Sequence, residues 1–382
     1  MQVARIHMLF VVFVSATSAS LASSGRLPDG LEWRSVTAPA LRTLLSSSYV
    51  ASADGSLAVD YPESTLRWML DWPGARAELR LGLAVCGSDA LVACICAAPS
   101  ELLLRGQRLE ALEVGLLCVH RSWRSRGLTP LMLRELRARA AELGLSSAVY
   151  TLAASRGTPL LCARCFHRPL RLGALRRRGF WVTDDDAEGG GDDDRGGSRR
   201  RARQRLAPLP RGGRLRRMRA ADVPRCLELL RARSRRHAFA PAWSEAEFRH
   251  RFLGRAARSF VLSGERRGAP ARAFVSFMLL PLRTRSRPLL QAQLLGLAAD
   301  EEAAATVGSD ARPRALLAAA LRAARREGAH VFNALAMAEH SPLLLGALGF
   351  QEGDGATNIH LLAPGKDAGS LAASDVAWLP VL

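Results

Sequence analysis

Lysine is almost absent from these 382 residues: Lys366 is the single one, so nearly all of the 54 basic residues are arginine. Arginine stands even at Arg134, Arg137 and Arg139, on what reads as a plain solvated helix face. A bias spread this widely is compositional. The net charge of +19 (54 − 35) is therefore discounted as a sign of nucleic-acid binding, and no binding motif accompanies it. A positive field still attracts anions such as the phosphates of a cofactor. No stretch approaches the roughly 18–20 apolar residues of a membrane span, which excludes a polytopic membrane protein. Hydrophobic residues at 48% and charged residues at 23% exclude a wholly disordered, collagenous or disulfide-scaffold chain. Seven cysteines cannot all pair within one chain. Cys94, Cys96 and Cys118 lie in apolar runs and read as buried thiols. Cys162, Cys165 and His167 resemble part of a metal site, but a structural zinc needs four ligands. No second Cys/His pair stands at suitable spacing, so no metal is expected.

The first 25 residues stand apart. Arg5 precedes an apolar run from Met8 to Val14, and small residues follow from Ser15 to Ser24. That order matches a secretory signal or the front of an organelle-targeting sequence, or else an arbitrary start. From Leu27 to Trp181 the pattern is mixed. Pro39–Tyr49 reads as a helix with Leu41, Leu44 and Leu45 on one face. Leu79–Val85 and Leu91–Ala98 read as strands joined through the turn signal Gly87-Ser88-Asp89. Leu109–Val119 is a further strand, Thr129–Leu143 a helix, and Ser147–Leu152 a strand. Asp184–Pro210 interrupts the pattern with blocks of aspartate, glycine and arginine and reads as a linker. Helices over Asp222–Ser234, Arg314–Glu327 and Leu343–Leu348 then alternate with strands at Phe260–Leu262, Phe274–Leu279 and His330–Leu335. The second half repeats the element order of the first, without a clear sequence repeat. The expected fold class is α+β, or mixed α/β. The expected organisation is a targeting-like segment 1–25, a first half 27–183, a charged linker 184–213 and a second half 214–382.

The most informative stretch runs from Glu113 to Leu136: a strand, an Arg/Gly/Ser loop and a helix start. Thr129 is expected to cap that helix, with Pro130 in its first position. Backbone N–H groups at a helix start make an anion site, and Arg124 and Arg126 add charge. A solvated loop would also explain this short pattern taken alone.

The longer string resembles the signature of the eukaryotic N-myristoyltransferases. The agreement includes Glu113, Leu117, Cys118, Val119, His120, Arg124, Ser125, Pro130 and Glu135. Other segments agree in order. These are Leu27-Pro-Asp-Gly-Leu-Glu-Trp33, Tyr49-Val50, Asp60-Tyr61, Leu66-Arg-Trp68 and Ala148-Val-Tyr-Thr151. Further along come Cys162-Ala-Arg-Cys-Phe-His-Arg-Pro-Leu170, Ser276-Phe277 with Pro281, Val331-Phe-Asn-Ala-Leu335 and Gly353-Asp-Gly355. The resemblance covers roughly residues 27–382.

The resemblance implies two pseudo-symmetric acyl-CoA N-acyltransferase-like halves around a saddle-shaped mixed sheet. It implies transfer of a tetradecanoyl group from tetradecanoyl-CoA to the N-terminal glycine of a protein, with no covalent acyl-enzyme. The main-chain N–H groups of Leu116 and Leu117 then stand at the oxyanion-hole positions. Leu116, Leu117, Cys118 and Val119 border the acyl-CoA, and Arg124, Ser125, Arg126, Gly127, Leu128 and Thr129 hold its phosphates. The C-terminal carboxylate, carried by Leu382, acts as base. Val50, Tyr150, Thr151, His167, Ser276, Asn333, Asp354 and Gly355 face the peptide. A cytoplasmic monomer without nucleic-acid partner or stable membrane span is implied as well.

The chain departs from the family's pattern at several points. Nothing in Met1–Arg26 matches the aromatic clamp that precedes the signature, and Gly115-Leu116 replaces Asn-Phe. Ala336-Met-Ala-Glu-His340 replaces the family's D-L-M-E-N. Two alternatives stay open: a related N-acyltransferase with another acyl chain or amine, and a non-catalytic relative that binds acyl-CoA or protein.

Overall fold

The chain is described from a computed structural model over residues 27–49, 57–152, 157–178, 213–264, 268–284, 287–300, 311–366 and 369–379. The signal-like segment, the charged linker, Val50 and Leu382 lie outside these residues. Within them the fold is mixed α/β, built on a single sheet of fourteen strands.

The first elements are β1 (Leu31–Ser35), α1 (Ala38–Ser48), β2 (Leu57–Val59), α2 (Glu63–Leu70) and β3 (Arg80–Val85). Then come β4 (Leu91–Leu104), β5 (Gln107–Val119), α3 (Leu128–Glu142), β6 (Ala148–Leu152), β7 (Leu161–Pro169) and α4 (Leu172–Arg176). The later part holds β8 (Gly213–Arg217), α5 (Val223–Ser234), β9 (Phe239–Pro241), α6 (Glu245–Leu253), β10 (Ala257–Gly264) and β11 (Ala271–Thr284). It ends with β12 (Leu289–Ala299), α7 (Ala311–Arg326), β13 (Val331–Leu335), α8 (Pro342–Ala347) and β14 (Gln351–Leu362).

Local chemistry sets the element ends. Thr37 caps α1 by accepting from the Ala40 N–H, and Ser244 and Glu247 form a reciprocal capping box on α6. The hairpin β4–β5 turns through Arg105 and Gly106, both at positive φ, as a tight right-twisting turn requires. The expected end of β4 at Ala98 is overrun to Leu104. Pro99 falls between the stretch of β4 that pairs with β3 and the stretch that pairs with β9. One edge of β4 has no strand partner there among the described residues, so a residue without an N–H is tolerated.

The principal strand order is β1-β3-β4-β5-β6-β14-β7-β13-β12-β11-β10-β8. The two parallel contacts are β5–β6 and β12–β13. Each follows an antiparallel hairpin, β4–β5 or β11–β12, and each is bridged by a helix, α3 or α7. The chain thus uses one motif twice. The last strand, β14, inserts between β6 and β7, while β7 pairs with β13. Strands from early and late sequence are thereby interleaved.

Helix α3 buries Leu128, Met132, Leu136 and Ala140 against one face of the sheet. Helix α7 packs Leu317 and Leu321 with Phe277 and Phe332 on that same face. The opposite face carries α1, α2, α5 and α6 around Leu41, Leu66, Phe248, Phe252 and Phe274. Full burial of one such side chain contributes roughly 1.5–3 kcal/mol. This second face also receives the C-terminal segment, and it holds the site.

Candidate active site

The site begins at an irregularity in β5. Cys94 pairs with Cys118 and Cys96 with Gly115, so Leu116 and Leu117 together face the single residue Ile95. This is a β-bulge, and Leu116 takes φ = +52°, a conformation that a leucine adopts at a cost of roughly 1–2 kcal/mol. Leu116 is 1% exposed and Leu117 3%, so the distorted peptide lies in a dry environment. The Cys94 thiol lies 3.0 Å from the Leu116 carbonyl oxygen. Tyr49 and Tyr61 meet edge-on nearby, with ring centroids 6.1 Å apart. Burial raises the Tyr49 phenol well above its ordinary range, and neighbouring Tyr61 and the three cysteines push the same way. Burial also pushes the Cys118 thiol up to about 12, against the pull of Arg124. It is therefore a neutral thiol at pH 7 and not a thiolate nucleophile.

Beyond the bulge the chain turns sharply into α3. Ser125 (φ +61°) and Gly127 (φ +75°) both take left-handed conformations. The helix begins at Leu128 with Gly127 as its cap, so Thr129 is not the capping residue that sequence suggested. The two left-handed residues coil the loop early enough for Thr129 and Pro130 to lie inside the first turn. Proline is tolerated there because no intrahelical N–H bond is required. The Arg124 guanidinium is tied back to the Ser48 carbonyl at 2.6 Å and to the Val119 carbonyl at 3.3 Å. Arg126 lies over the Trp123 ring at 4.7 Å. Arg124, Ser125, Arg126 and Gly127 are exposed, while Leu128 is buried.

Further along the same sheet face, three buried polar side chains form a chain across three strands. His167 on β7 lies opposite Asn333 on β13. Their Nδ1 and Oδ1 atoms are 2.9 Å apart, and Asn333 Nδ2 donates to Gln291 Oε1 at 2.8 Å. With the Asn333 and Gln291 amides oriented this way, the Asn333 oxygen faces His167, the orientation that suits a proton on Nδ1. Gly353 lies against the ring: a Cβ there would fall 2.4 Å from His167 Nε2. Gly353, Asp354 and Gly355 together bulge out opposite Cys165, between the pairs Glu352–Phe166 and Ala356–Arg164. Asp354 is exposed at the tip of this bulge.

Strand alternation sorts the remaining candidates. Thr151 is buried on the His167 face, whereas Tyr150 points to the α3 face and stacks on His360 at 5.3 Å. Tyr150 is thus not brought together with His167. Ser276 shares the His167 face but is fully buried, its Oγ 2.7 Å from Ser259 Oγ. Cys162 and Cys165 fall on opposite faces of β7, one exposed and one buried, so they do not converge as a thiolate pair. Val50 and Leu382 lie outside the described residues.

Sequence reasoning missed the anchors of the C-terminal segment. Val376 bridges Phe239, and the Ala377 N–H donates to the Phe239 carbonyl at 2.8 Å. Trp378 Nε1 donates to Glu113 Oε1 at 3.2 Å. Arg251, 2% exposed, donates through Nη2 to the Leu379 carbonyl at 2.8 Å and to the Leu295 carbonyl at 3.3 Å. Leu295 is the extra residue of a second bulge, between Ser276–Gly296 and Phe277–Leu294. The tail is therefore fastened to both repeated motifs: to β5 three residues before its bulge, and through Arg251 to the bulge of β12. Burial raises the Glu113 carboxyl above its usual range, opposed by the charge of Arg251 and the Trp378 bond. Glu113 was visible as the first residue of the signature, but its partner stands 265 residues away.

The sequence and the fold of this chain match known proteins. Residues 16–165 match the family model described as myristoyl-CoA:protein N-myristoyltransferase, N-terminal domain, and residues 197–362 match its C-terminal domain. The glycylpeptide N-tetradecanoyltransferase of Ajellomyces capsulatus is 29% identical over 352 residues, which cover 88% of this chain and 65% of that protein. This chain thus spans just under two thirds of that relative's length. The Schizosaccharomyces pombe enzyme of the same name is 30% identical over 335 residues, 83% of this chain and 70% of the relative. The crystal structure of Saccharomyces cerevisiae N-myristoyltransferase with bound myristoyl-CoA superposes with a TM-score of 0.79 at 25% identity. That superposition covers 93% of this chain and 86% of the other. With matches that run through both halves of the sequence and the whole sheet, the chain belongs to the myristoyl-CoA:protein N-myristoyltransferase family.

Proposed function

We propose that this protein transfers a tetradecanoyl group from tetradecanoyl-CoA to the N-terminal glycine amine of proteins. The observation that carries the reading is the left-handed, buried bulge at Leu116–Leu117, followed at once by the Ser125–Gly127 turn into α3. A bulge takes its extra residue out of the strand ladder. In this reading the main-chain N–H groups of Leu116 and Leu117 bind the thioester oxygen as it gains charge. Dry apolar surroundings make such donors most effective. The start of α3 together with Arg124, Ser125 and Arg126 receives the CoA phosphates.

The amine attacks the thioester carbonyl directly. A C–N bond forms, the C–S bond breaks, and CoA leaves as its thiolate. An α-amine titrates near ~8 and must lose a proton to attack. The proposed base is the α-carboxylate of Leu382, delivered by the tail that Glu113 and Arg251 fasten. His167, Asn333, Thr151, Ser276, Asp354 and Gly355 are assigned to the peptide groove, and Tyr150 to the rear of β6. Domain limits at 27–183 and 214–382, a monomeric state and a cytoplasmic location belong to the same proposal. No helix among the described residues is long and apolar enough to cross a membrane.

The deciding assay mixes purified protein, tetradecanoyl-CoA and an octapeptide beginning with glycine, and follows thiol release. Turnover with glycine but not with alanine at the first position is expected. Equal turnover with both, or no thiol release above buffer, overturns the reading.

A further inference from the structure

Behind the peptide groove, on the opposite face of the sheet, lies a cavity of about 510 Å3. Arg168 follows His167 on β7, and strand alternation sends its side chain to this rear face. Five of the ten lining residues are arginines: Arg168, Arg171, Arg176, Arg177 and Arg325. None of the ten is acidic. The chain as a whole carries 35 acidic residues against 54 basic ones, so the lining is more one-sided than the composition.

One guanidinium of the wall is built into the fold, while Arg171, Arg176, Arg177 and Arg325 are exposed. Arg168 is 5% exposed and donates to the Gly349 carbonyl at 3.3 Å. Gly349 stands at φ = +75°, and a Cβ there would fall 2.9 Å from Arg168 Nη1. The glycine just beyond α8 thus clears the space in which the guanidinium lies. Arg171 reaches the last turn of α7 and donates to the Arg325 carbonyl at 3.1 Å. Burial and the nearby charge of Arg325 both pull the Arg168 guanidinium below its ordinary range. Of the five, Arg168 is the one withdrawn from water, and an anion in the cavity faces its desolvated charge. Guanidinium groups match phosphate oxygens bidentately, and the volume is that of a small-ligand pocket.

We propose that this cavity binds a small anion carrying several phosphates, such as inorganic triphosphate or a nucleoside triphosphate, at a site separate from the α3 loop.

The test is calorimetric titration of the full chain with inorganic triphosphate in 150 mM salt. It is run in an Arg124→Gln, Arg126→Gln background so that the α3 loop does not contribute. Saturable binding at about one site is expected, weakened at least tenfold by adding Arg171→Gln and Arg325→Gln. Both added changes are at exposed side chains, so the melting temperature serves as the folding control. Should the glutamine pair fail to fold, Arg171→Lys with Arg325→Lys keeps the charge but loses the bidentate fork, and binding is expected to fall severalfold. A parallel titration with ATP separates the sources: equal affinity assigns recognition to phosphate alone, and tighter ATP binding adds the nucleoside, either outcome supporting the site. Absence of saturable binding in the background protein overturns the proposal. So does affinity unchanged by the glutamine and lysine pairs, or affinity for RNA that climbs with length beyond what the cavity holds.

Discussion

Trp378 Nε1 donates to Glu113 Oε1 at 3.2 Å across 265 residues of sequence, with both side chains buried. The bond joins the strand that carries the Leu116 bulge to the segment that leads to Leu382. Trp378→Phe keeps the ring volume and removes the donor. We expect it to lower the chemical step at least tenfold, with acyl-CoA affinity changed less than twofold. Deleting Leu382 displaces the terminal carboxylate by about 3.3 Å along an extended chain, and misplacement of ~1 Å can cost on the order of a hundredfold in rate. A hundredfold loss in single-turnover rate with an unchanged melting temperature is expected. If amidation of the C-terminus leaves the rate at wild type, the base lies elsewhere.

The loop before α3 makes a separate prediction. Arg124 is held by two carbonyls and Arg126 by the Trp123 ring, so both guanidinium groups are partly oriented before any ligand arrives. Charge-assisted bonds to phosphate contribute roughly 1.5–3 kcal/mol each. Arg124→Ala should raise the dissociation constant for tetradecanoyl-CoA about tenfold or more, as measured by calorimetry. Unchanged affinity in the double variant with Arg126→Ala would remove the loop from the cofactor site.

Gly353 tests the peptide side. An added Cβ would meet His167 Nε2 at 2.4 Å and Cδ2 at 2.6 Å, and the imidazole is 3% exposed and tied to Asn333. The ring must leave its place. Gly353→Ala is expected to raise the peptide KM at least tenfold while leaving acyl-CoA binding intact. Restoring space with His167→Ala in the same chain should recover the lost stability but not the peptide affinity.

Elements with strong periodicity were legible from sequence. The Leu128–Met132–Leu136–Ala140 stripe marked α3, and Gly87 with Asp89 marked the turn between β3 and β4. The insertion of β14 between β6 and β7 was not legible, because register between strands about 200 residues apart leaves no local pattern. The clasp on the tail was hidden for the same reason. Glu113 was visible as the head of a motif, whereas Arg251 was one more arginine in an arginine-rich chain. The bulge at Leu116 was invisible as geometry, since nothing in Gly115-Leu116-Leu117 announces a positive φ on a leucine. Only the resemblance pointed to those peptide groups.

His340 gives a pH prediction with a definite sign. It is 1% exposed, and neither ring nitrogen has a hydrogen-bond partner among the described residues. Burial lowers its pKa to about 4, helped by the charges of Arg233 and His237 and opposed by Glu339. The folded state thus keeps the ring neutral over a range where the unfolded chain, with an ordinary value near ~6.5, takes up a proton. Stability associated with the neutral ring is fully present above about pH 6.5 and drains away as pH falls toward 4. Glu339, held near 2 chiefly by Arg233 against the effect of burial, continues the loss below about pH 4.5. The two windows are separable by substitution. His340→Asn puts in place the residue that the family pattern carries at this position, and asparagine does not titrate. It should abolish the loss between pH 6.5 and 4, a difference of roughly 1–3 kcal/mol, while a loss at lower pH persists because Arg233 still holds the Glu339 carboxyl down. Urea unfolding at pH 7.0, 5.5 and 4.5 reads this directly. Parallel pH profiles for wild type and His340→Asn would show that the buried imidazole does not set the acid sensitivity of the fold.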